Sequence, residues 1–462
     1  MSSPINPPIN SPVKPLKNCG KCGLCLGACP VYKVLKEEQS SPRARLQLIK
    51  AHEETTLESS ALLKELISKC LMCGSCAVAC PSGINHYEKF MDMREKMVKD
   101  MGETPAIKSL IFLLARESRI RMGAGLAKLG QKLTPAFLAN KYCLGNIPLK
   151  QFPPLNPIPF RKTVATRIPA EGEKKGSLLY FTGCATNVLY EDTGISTIGV
   201  LTHLGYEVII PKDQTCCGIP MMFHGAMDPA VENMRVNIAA LGSYECEAII
   251  VDCTTCGAAL KDEYPALIQK QIKKQIQRQI KENIANTNSL KSSALSWEPL
   301  AAQAQKIADK TMDILSFIAA HRQDLVFDKT YPKLGNVAYH APCHSRNSFN
   351  TLPLVQSLLK ELPFIEYTPT PDEAECCGGG GTFFYEHPKT AKKIMDKKKN
   401  HVKEVQAKYW LTDCPVCRIN LAGNLDSANV LENIQVFHPV TLIHNALKKG
   451  ALNNDVRNKA RK

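Results

Sequence analysis

The sequence predicts a mixed α+β multidomain chain, with a small α-helical domain at the N-terminus and two duplicated α/β cysteine-rich modules behind it. Two observations carry most of that expectation. The run Cys-x2-Cys-x2-Cys-x3-Cys-Pro occurs twice near the start, as Cys19, Cys22, Cys25, Cys29, Pro30 and as Cys70, Cys73, Cys76, Cys80, Pro81. Further on, the set Cys184, Cys216-Cys217-Gly218, Cys253-x2-Cys256 returns as Cys343, Cys376-Cys377-Gly378, Cys414-x2-Cys417, offset by 159, 160 and 161 residues at its three elements. Offsets that constant imply a duplicated domain.

In chain order, residues 1–15 are polar and proline-rich, without an apolar stretch resembling a signal peptide, and read as a disordered lead. Residues 16–100 form the helical domain. Its two cysteine runs are separated by helical patterns at Arg43 to His52 and Leu57 to Lys69, the first starting after Ser41-Pro42. Residues 101–165 are a basic segment and linker: Ala106 to Asn140 is predicted helical with interruptions at Gly123, Gly125 and Gly130, and a proline-rich stretch follows at Pro153, Pro154, Pro157 and Pro159. The Gly123-Ala124-Gly125 segment is no dinucleotide loop, because its third glycine is misplaced and no strand precedes it.

The first module is assigned to residues 166–325 and the second to 326–450, with a basic tail at 451–462. Each cysteine group follows a short β-like run: Leu178 to Phe181, Val208 to Ile210 and Ala248 to Val251, then Val337 to Tyr339, Phe364 to Tyr367 and Tyr409 to Leu411. Helical patterns lie between, one of them opened by Asp228 as N-cap with Pro229 at the first position. Strand-to-helix connections place a crevice at the carboxyl edge of a sheet, where five thiolates from three loops can converge. Within the first module, Ile268, Ile272, Ile276, Ile280 and Ile284 recur every fourth residue and predict an apolar stripe on a basic helix, for a partner or for its own domain.

The chemistry is iron-sulfur chemistry. Three thiolates at that N-terminal spacing cap one cube, and the fourth ligates the neighbouring cluster. Two cubane [4Fe-4S] clusters are therefore expected, one on Cys19, Cys22, Cys25 and Cys80, the other on Cys70, Cys73, Cys76 and Cys29. Zinc would be satisfied by two Cys-x2-Cys knuckles and leaves the third cysteine of each run, and both prolines, without a reason. Two adjacent cysteines cannot both point at one corner of a cube. The sets Cys184, Cys216, Cys217, Cys253, Cys256 and Cys343, Cys376, Cys377, Cys414, Cys417 thus suggest one or two further clusters of non-cubane shape. Gly218 and Gly378 follow the vicinal pairs, and the run Gly378 to Gly381 would let backbone N–H groups approach cluster sulfides. His340 and His344 flank Cys343 as donors to sulfur or as satisfied structural histidines.

Composition bounds the rest. The 462 residues are 44% apolar, enough for several cores without disulfides. Eighteen of the twenty cysteines fall in spaced clusters, leaving out Cys143 and Cys246, and this suits a reducing, cytoplasmic compartment. The apolar stretch Leu110 to Ala115 is far short of the roughly 20 residues of a membrane span. The formal charge of +15 is partly offset by clusters of roughly −2 each. Between Ala106 and Lys150, eight Lys or Arg face the single acid Glu117, an excess that fits an acidic partner, an anionic lipid surface or a solvated helix face. With 6% aromatics and no recognised binding module, nucleic acid is not expected.

Two ferredoxin-type runs followed by two Cys…Cys-Cys-Gly…Cys-x2-Cys modules resemble the iron-sulfur subunit family of glycolate oxidase, D-lactate dehydrogenases and anaerobic glycerol-3-phosphate dehydrogenase, whose plan is shared by the catalytic subunit of heterodisulfide reductase. The likeness covers about residues 16 to 450, with Ser41-Pro42-Arg43-Ala44-Arg45, Cys80-Pro81-Ser82-Gly83, Cys376-Cys377-Gly378 and His438-Pro439-Val440 among its motifs. The resemblance implies an electron-relay subunit. A separate FAD-containing 2-hydroxy acid dehydrogenase would oxidise glycolate or lactate, and this chain would pass the electrons toward quinone or another carrier, in the cytoplasm or peripherally on the inner face of its membrane. No catalytic residue is assigned, because no flavin or nicotinamide fingerprint appears in the chain. The other implied reading is a thiol–disulfide reductase working on a non-cubane cluster. The complete Cys-x2-Cys pairs favour it, because glycolate oxidase members often lack one of those cysteines.

Overall fold

The computed structural model describes residues 19–134, 142–281, 297–425 and 434–448. The expected lead at 1–15, the tail at 451–462 and Ile284 of the isoleucine stripe lie outside the described residues.

From residue 19 to residue 101 the described chain is helical, as predicted. Ser41 caps the helix Pro42–Glu53, its Oγ accepting from Ala44 N at 3.1 Å with Pro42 at the first position. The next helix is Ala61–Ser68, four residues shorter at its start than the apolar pattern suggests, because Ser60 supplies the cap. The long helix His86–Met101 follows the second cysteine run.

Two corrections concern the segment after it. The helices Pro105–Leu114 and Glu117–Leu133 break at Ala115 and Arg116; Gly123, Gly125 and Gly130 lie inside the second helix and interrupt nothing. Glu117, the single acid of the basic stretch, pairs with buried Arg161 at 2.7 Å.

A short hairpin, β1 (Cys143–Leu144) and β2 (Ile147–Pro148), leads into the first sheet. That sheet holds β3 (Arg167–Ile168), β4 (Gly176–Phe181), β5 (Tyr206–Ile209), β6 (Ala248–Val251) and β7 (Thr311–Asp313) in the order β3-β5-β4-β6-β7. The second holds β8 (Asn336–Tyr339), β9 (Glu366–Tyr367), β10 (Tyr409–Leu411) and β11 (Gln435–Phe437) in the order β9-β8-β10-β11. All pairings are parallel except β3 with β5, so both modules carry one four-strand plan, β5-β4-β6-β7 matching β9-β8-β10-β11. The predicted strand at Phe364 to Tyr367 is confined to its last two residues, and the fourth strand of each module has no cysteine to mark it in the sequence.

Two further helix readings resolve. The helix around Asp228 is Met227–Gly242 with Ala226 at the N-cap position, so Asp228 is a first-turn acid favoured by the helix dipole and not the cap. The isoleucine helix, Tyr264–Lys281, packs on its own chain: Ile268 is fully buried, and Lys270 and Lys274 reach Glu95 at 3.0 and 2.6 Å.

The cores run across the modules. One apolar cluster joins Leu46, Ile67 and Phe90 of the helical domain to Phe181, Ile249 and Met222 of the first module. Another joins Tyr180 and Ile198 to Tyr339, Leu411 and Ile443 of the second. Across that contact Arg418 forks onto Asp192, with Nη1 to Oδ1 at 3.2 Å and Nη2 to Oδ2 at 2.9 Å, while stacking on Tyr190. Two smaller clusters hold the remaining buried cysteines, one with Cys29 and Cys376 and the other with Cys377, Cys414 and Cys417.

Candidate metal centres

The two N-terminal runs fold alike. Lys21 and Met72, two residues after the first cysteine of each run, have φ of 52° and 53°, and Gly23 and Gly74 are left-handed at 82° and 74°. Each left-handed glycine starts a short helix that carries the third cysteine inward. Cys29 then opens the helix Pro30–Leu35, its Sγ accepting from Tyr32 N, so the chain turns away from its own run.

The thiols gather in two hollows, and the runs cross between them. One hollow is lined by Cys19, Cys22, Cys25 and Cys80, the other by Cys29, Cys70, Cys73 and Cys76. Burial, followed by the mutual repulsion of neighbouring thiolates, raises Cys25 and Cys76; Cys29 is pushed up to about 11 by burial, against the pull of Arg45. Four sulfurs gathered on one hollow, its buried thiols among them, are a donor set that a cationic iron core satisfies. Arg45 explains part of the Ser-Pro-Arg-Ala-Arg motif. It is 1% exposed, lines the second hollow, and spends its donors on Leu66 O at 2.9 Å and Lys69 O at 2.7 Å.

In the modules the cysteines sit past the carboxyl ends of the strands: Cys184 after β4, Cys216 and Cys217 after β5, Cys253 and Cys256 after β6, and their repeats after β8, β9 and β10. Cys184 Sγ lies 3.9 Å from Cys216 Sγ, Cys217 faces Cys216 and Cys256, and Cys253 faces Cys256. In the second module Cys377 faces Cys376 and Cys417, Cys414 faces Cys417, and Cys343 feels Cys414 and Cys377. Within each vicinal pair the second thiol is held low, Cys217 at about 5, because its neighbours donate hydrogen bonds to it. Gly218 and Gly378 are left-handed at 93° and 83°, and Gly378 N points at Cys376 Sγ at 3.4 Å. Gly380 instead permits a close approach between domains, since a Cβ there would meet Leu71, next to Cys70, at 2.5 Å.

The sets form a file. Cys25 and Cys76 feel each other across the two hollows, and Cys73 is a neighbour of Cys343 and Cys376. Asn347 Nδ2 donates to Cys73 O at 2.6 Å. Cys253 of the first module in turn faces Cys414 of the second, where Thr254 N donates to Asp413 O at 3.2 Å and Thr255 Oγ1 lies 3.5 Å from Cys414 Sγ.

Several groups escaped the sequence reading. Under each module a buried tyrosine donates to a buried aspartate, Tyr180 to Asp252 at 2.5 Å and Tyr339 to Asp413 at 2.6 Å. Burial raises Asp252 to about 6 and Asp413 to about 8. Their signal was an Asp directly before each Cys-x2-Cys. His344 is satisfied at one nitrogen, with Nδ1 3.1 Å from Thr255 Oγ1, and its Nε2 is buried without a hydrogen bond. His340 stands against sulfur: it is buried, shares a 4.8 Å cluster with Cys377 and Cys417, and helps to hold the Cys377 thiol low. Cys143 and Cys246 join no cluster.

Comparison with known proteins agrees with this geometry. Residues 15–84 match the model of a 4Fe-4S dicluster domain, and residues 178–261 and 337–422 each match that of a cysteine-rich domain. The chain is 27% identical to the probable glycolate oxidase iron-sulfur subunit of Bacillus subtilis, with 93% of each chain covered. It is 26% identical to the glycolate oxidase iron-sulfur subunit of Escherichia coli, covering 94% of this chain and 95% of that one. A fumarate reductase (CoM/CoB) subunit from Methanothermobacter marburgensis is 24% identical over 95% of this chain and 74% of its own length. The chain thus has an iron-sulfur dicluster domain and two cysteine-rich domains, and its homologues include iron-sulfur subunits of glycolate oxidase. No helix among the described residues is long and apolar enough to cross a membrane.

Proposed function

We propose that this chain is the electron-relay subunit of a flavin-dependent glycolate or lactate dehydrogenase, taking electrons from an FAD-containing subunit and passing them to a quinone or another carrier. The observation that carries the reading is the file of thiol sets, which leads from exposed Cys22 through two hollows to the second module and then the first. In this reading Cys19, Cys22, Cys25 and Cys80 hold one [4Fe-4S] cluster, and Cys29, Cys70, Cys73 and Cys76 the other. The five-cysteine sets hold one cluster each. When bound, the clusters supply one-electron transfer. The protein supplies spacing, burial and charge: Arg45 faces the second cubane set, and Gly380 lets the second module approach Leu71.

Surface contacts fit a peripheral role. The helix Glu117–Leu133 exposes Met122, Leu126, Leu129 and Leu133 beside Arg119, Arg121, Lys128 and Lys132, a face suited to an anionic lipid surface. Purified with its flavoprotein partner, the chain should be reduced by glycolate or lactate, with bleaching of the cluster absorbance. Alone it should not respond to either acid. Oxidation of a hydroxy acid by the isolated chain would end this reading.

The disulfide-reductase reading keeps one specific observation, the complete second set with buried His340 against Cys377 and Cys417. Turnover of a low-molecular-weight disulfide with reduced viologen would select it, and the relay reading expects none.

A further inference from the structure

The relay reading leaves the identity of the carrier open, and one groove away from the clusters bears on it. It runs between the helices His86–Met101 and Tyr264–Lys281, and its lining sets an apolar patch of Met91, Met222, Met227 and Leu267 beside Tyr87, Glu263 and further charged side chains of both helices. We propose that this groove binds the headgroup of a quinone, with the Glu263 carboxyl and the Tyr87 hydroxyl as its hydrogen-bond partners. The inference rests on the relay reading and names the carrier for it.

Position is the first argument. Tyr87 lines the groove and also the hollow of Cys29, Cys70, Cys73 and Cys76, so one side chain separates a bound ring from that cluster set. Met222 belongs to the short helix that follows Cys217-Gly218, which brings the first module to the same groove. A carrier seated here is next to two of the thiol sets at once.

Chemistry is the second. Tyr87 is 3% exposed, and its hydroxyl is turned to the Glu263 carboxyl, itself 7% exposed, so the two form one polar pair in the groove wall. Glu263 ends the π-helical turn Ala259–Glu263, a local widening that recurs at functional sites. Burial, then the neighbouring Asp262 and Glu88, raises Glu263 to about 8, against the opposing pull of Tyr87 and Lys270. Held neutral near pH 7, the carboxyl can donate to a carbonyl oxygen. Reduction of the quinone to the quinol takes two electrons, delivered singly by the reduced iron-sulfur clusters, and two protons, one from Glu263 and one from water at the open side.

The methionine patch suits a ring system, and the groove has no arginine fork or glycine-rich turn for a pyrophosphate; of the three lysines that line it, Lys261, Lys270 and Lys273, the first lies over the Phe349 ring and the second is held by Asp92 and Glu95. A second groove, beside Lys64 and Arg94, addresses no ligand in this way. There His224 bonds Thr382, His387 bonds Ser68, and Arg94 donates to the carbonyls of Phe223, Ile67, Ser68 and Cys70.

The test uses cluster-loaded full-length protein. A photoreactive azidoquinone should label the groove peptides around Glu88 to Asp92 and Lys261 to Lys273, in competition with duroquinone. In stopped flow, dithionite-reduced protein should regain its cluster absorbance on mixing with duroquinone. Glu263→Gln should lower the ratio of the duroquinone rate to the ferricyanide rate by about 10²-fold, the range lost with a positioned proton donor. Glu263→Asp should recover part of it, and Lys306→Gln, on the exposed surface, should leave the ratio unchanged. Labelling elsewhere, wild-type protein that duroquinone does not reoxidise, or an unchanged ratio in Glu263→Gln at wild-type iron content would each overturn the inference. None of these involves the flavoprotein, so failure of the relay reading in the hydroxy-acid assay is seen separately.

Discussion

Three residues before its first cysteine, the amino-terminal module has Phe181 where the carboxyl-terminal module has His340. A second difference lies beneath the vicinal pairs. Gly218 packs on Ala230 and Gly378 on Ala391, and in that register Asn237 corresponds to Lys398. Asn237 donates to Cys216 O at 3.1 Å; Lys398, 2% exposed, donates to Asp372 O at 2.6 Å and brings its charge to Cys376 and Cys377. The duplicated frame is therefore electrically asymmetric. Beneath its vicinal pair one module has a neutral amide, its nearest ion pair, Arg161 with Glu117, standing at Cys184, and the other has an imidazole and a buried cation. The second is also the module that touches the Cys73 side of the helical domain. Duplication supplied two equal cysteine sets, and their neighbours give them unequal parts.

Unequal parts predict unequal damage, and the largest effect is loss of a centre. Cys217→Ser should remove the first module's cluster and leave the second reducible at its normal rate. Cys377→Ser should remove the second cluster and also isolate the first, because the described contact to the first module's sulfurs runs through Cys253 and Cys414. Freeze-quench electron paramagnetic resonance after reduction by the partner would read both. Fast reduction of the first module in Cys377→Ser would break the proposed order.

The charge difference predicts a smaller effect. A cation near a cluster favours its reduced, more negative form, so Lys398→Met should lower the potential of the second centre, and Asn237→Lys should raise that of the first. Two unit charges several ångströms apart at an effective dielectric near 20 interact by about 2 kcal/mol, or roughly 90 mV for one electron, and the Asp372 partner reduces this to tens of millivolts. Redox titration would measure it. Equal shifts at both centres in either variant would mean that the charge is not local.

Much of this architecture was legible because cysteine is rare and its spacing is chemically strict. The two N-terminal runs, the offsets of 159 to 161 residues and the strands before each cysteine group all follow from local pattern. What stayed hidden depends on contact across the chain. Nothing near His340 in sequence says that its ring reaches Cys377 and Cys417, and Arg45 read as part of a motif before its burial against Cys29 gave it a role. The fourth strands, Thr311–Asp313 and Gln435–Phe437, are three residues each and carry no cysteine. The glycines at 123, 125 and 130 misled for another reason, since a glycine in a helix interior costs only about 1 kcal/mol relative to alanine and does not by itself end the helix.

The smallest expected effect lies just past those fourth strands, where the two modules cap equivalent helices with different groups. Asp313 accepts from Leu315 N at 3.1 Å and Ser316 N at 3.0 Å, whereas His438 Nδ1 accepts only from Val440 N, at 3.0 Å. Losing the His438 cap should cost about 1 kcal/mol. Acid separates the two caps. Burial, and then the charge of Arg418, lowers His438 to about 3, so the unfolded chain binds a proton below roughly pH 6.5 that the folded chain refuses. Its contribution is fully present above that pH and is lost as the pH falls toward 3. Asp313 is raised by burial, which has the opposite sign: the folded state holds the extra proton, and stability declines as the pH rises above the ordinary carboxylate range. His438→Asn keeps an acceptor at the cap and removes the titration. Urea denaturation between about pH 5.5 and 7.5 should therefore show a flatter pH dependence for His438→Asn than for wild type. An unchanged slope would mean that His438 does not titrate with folding.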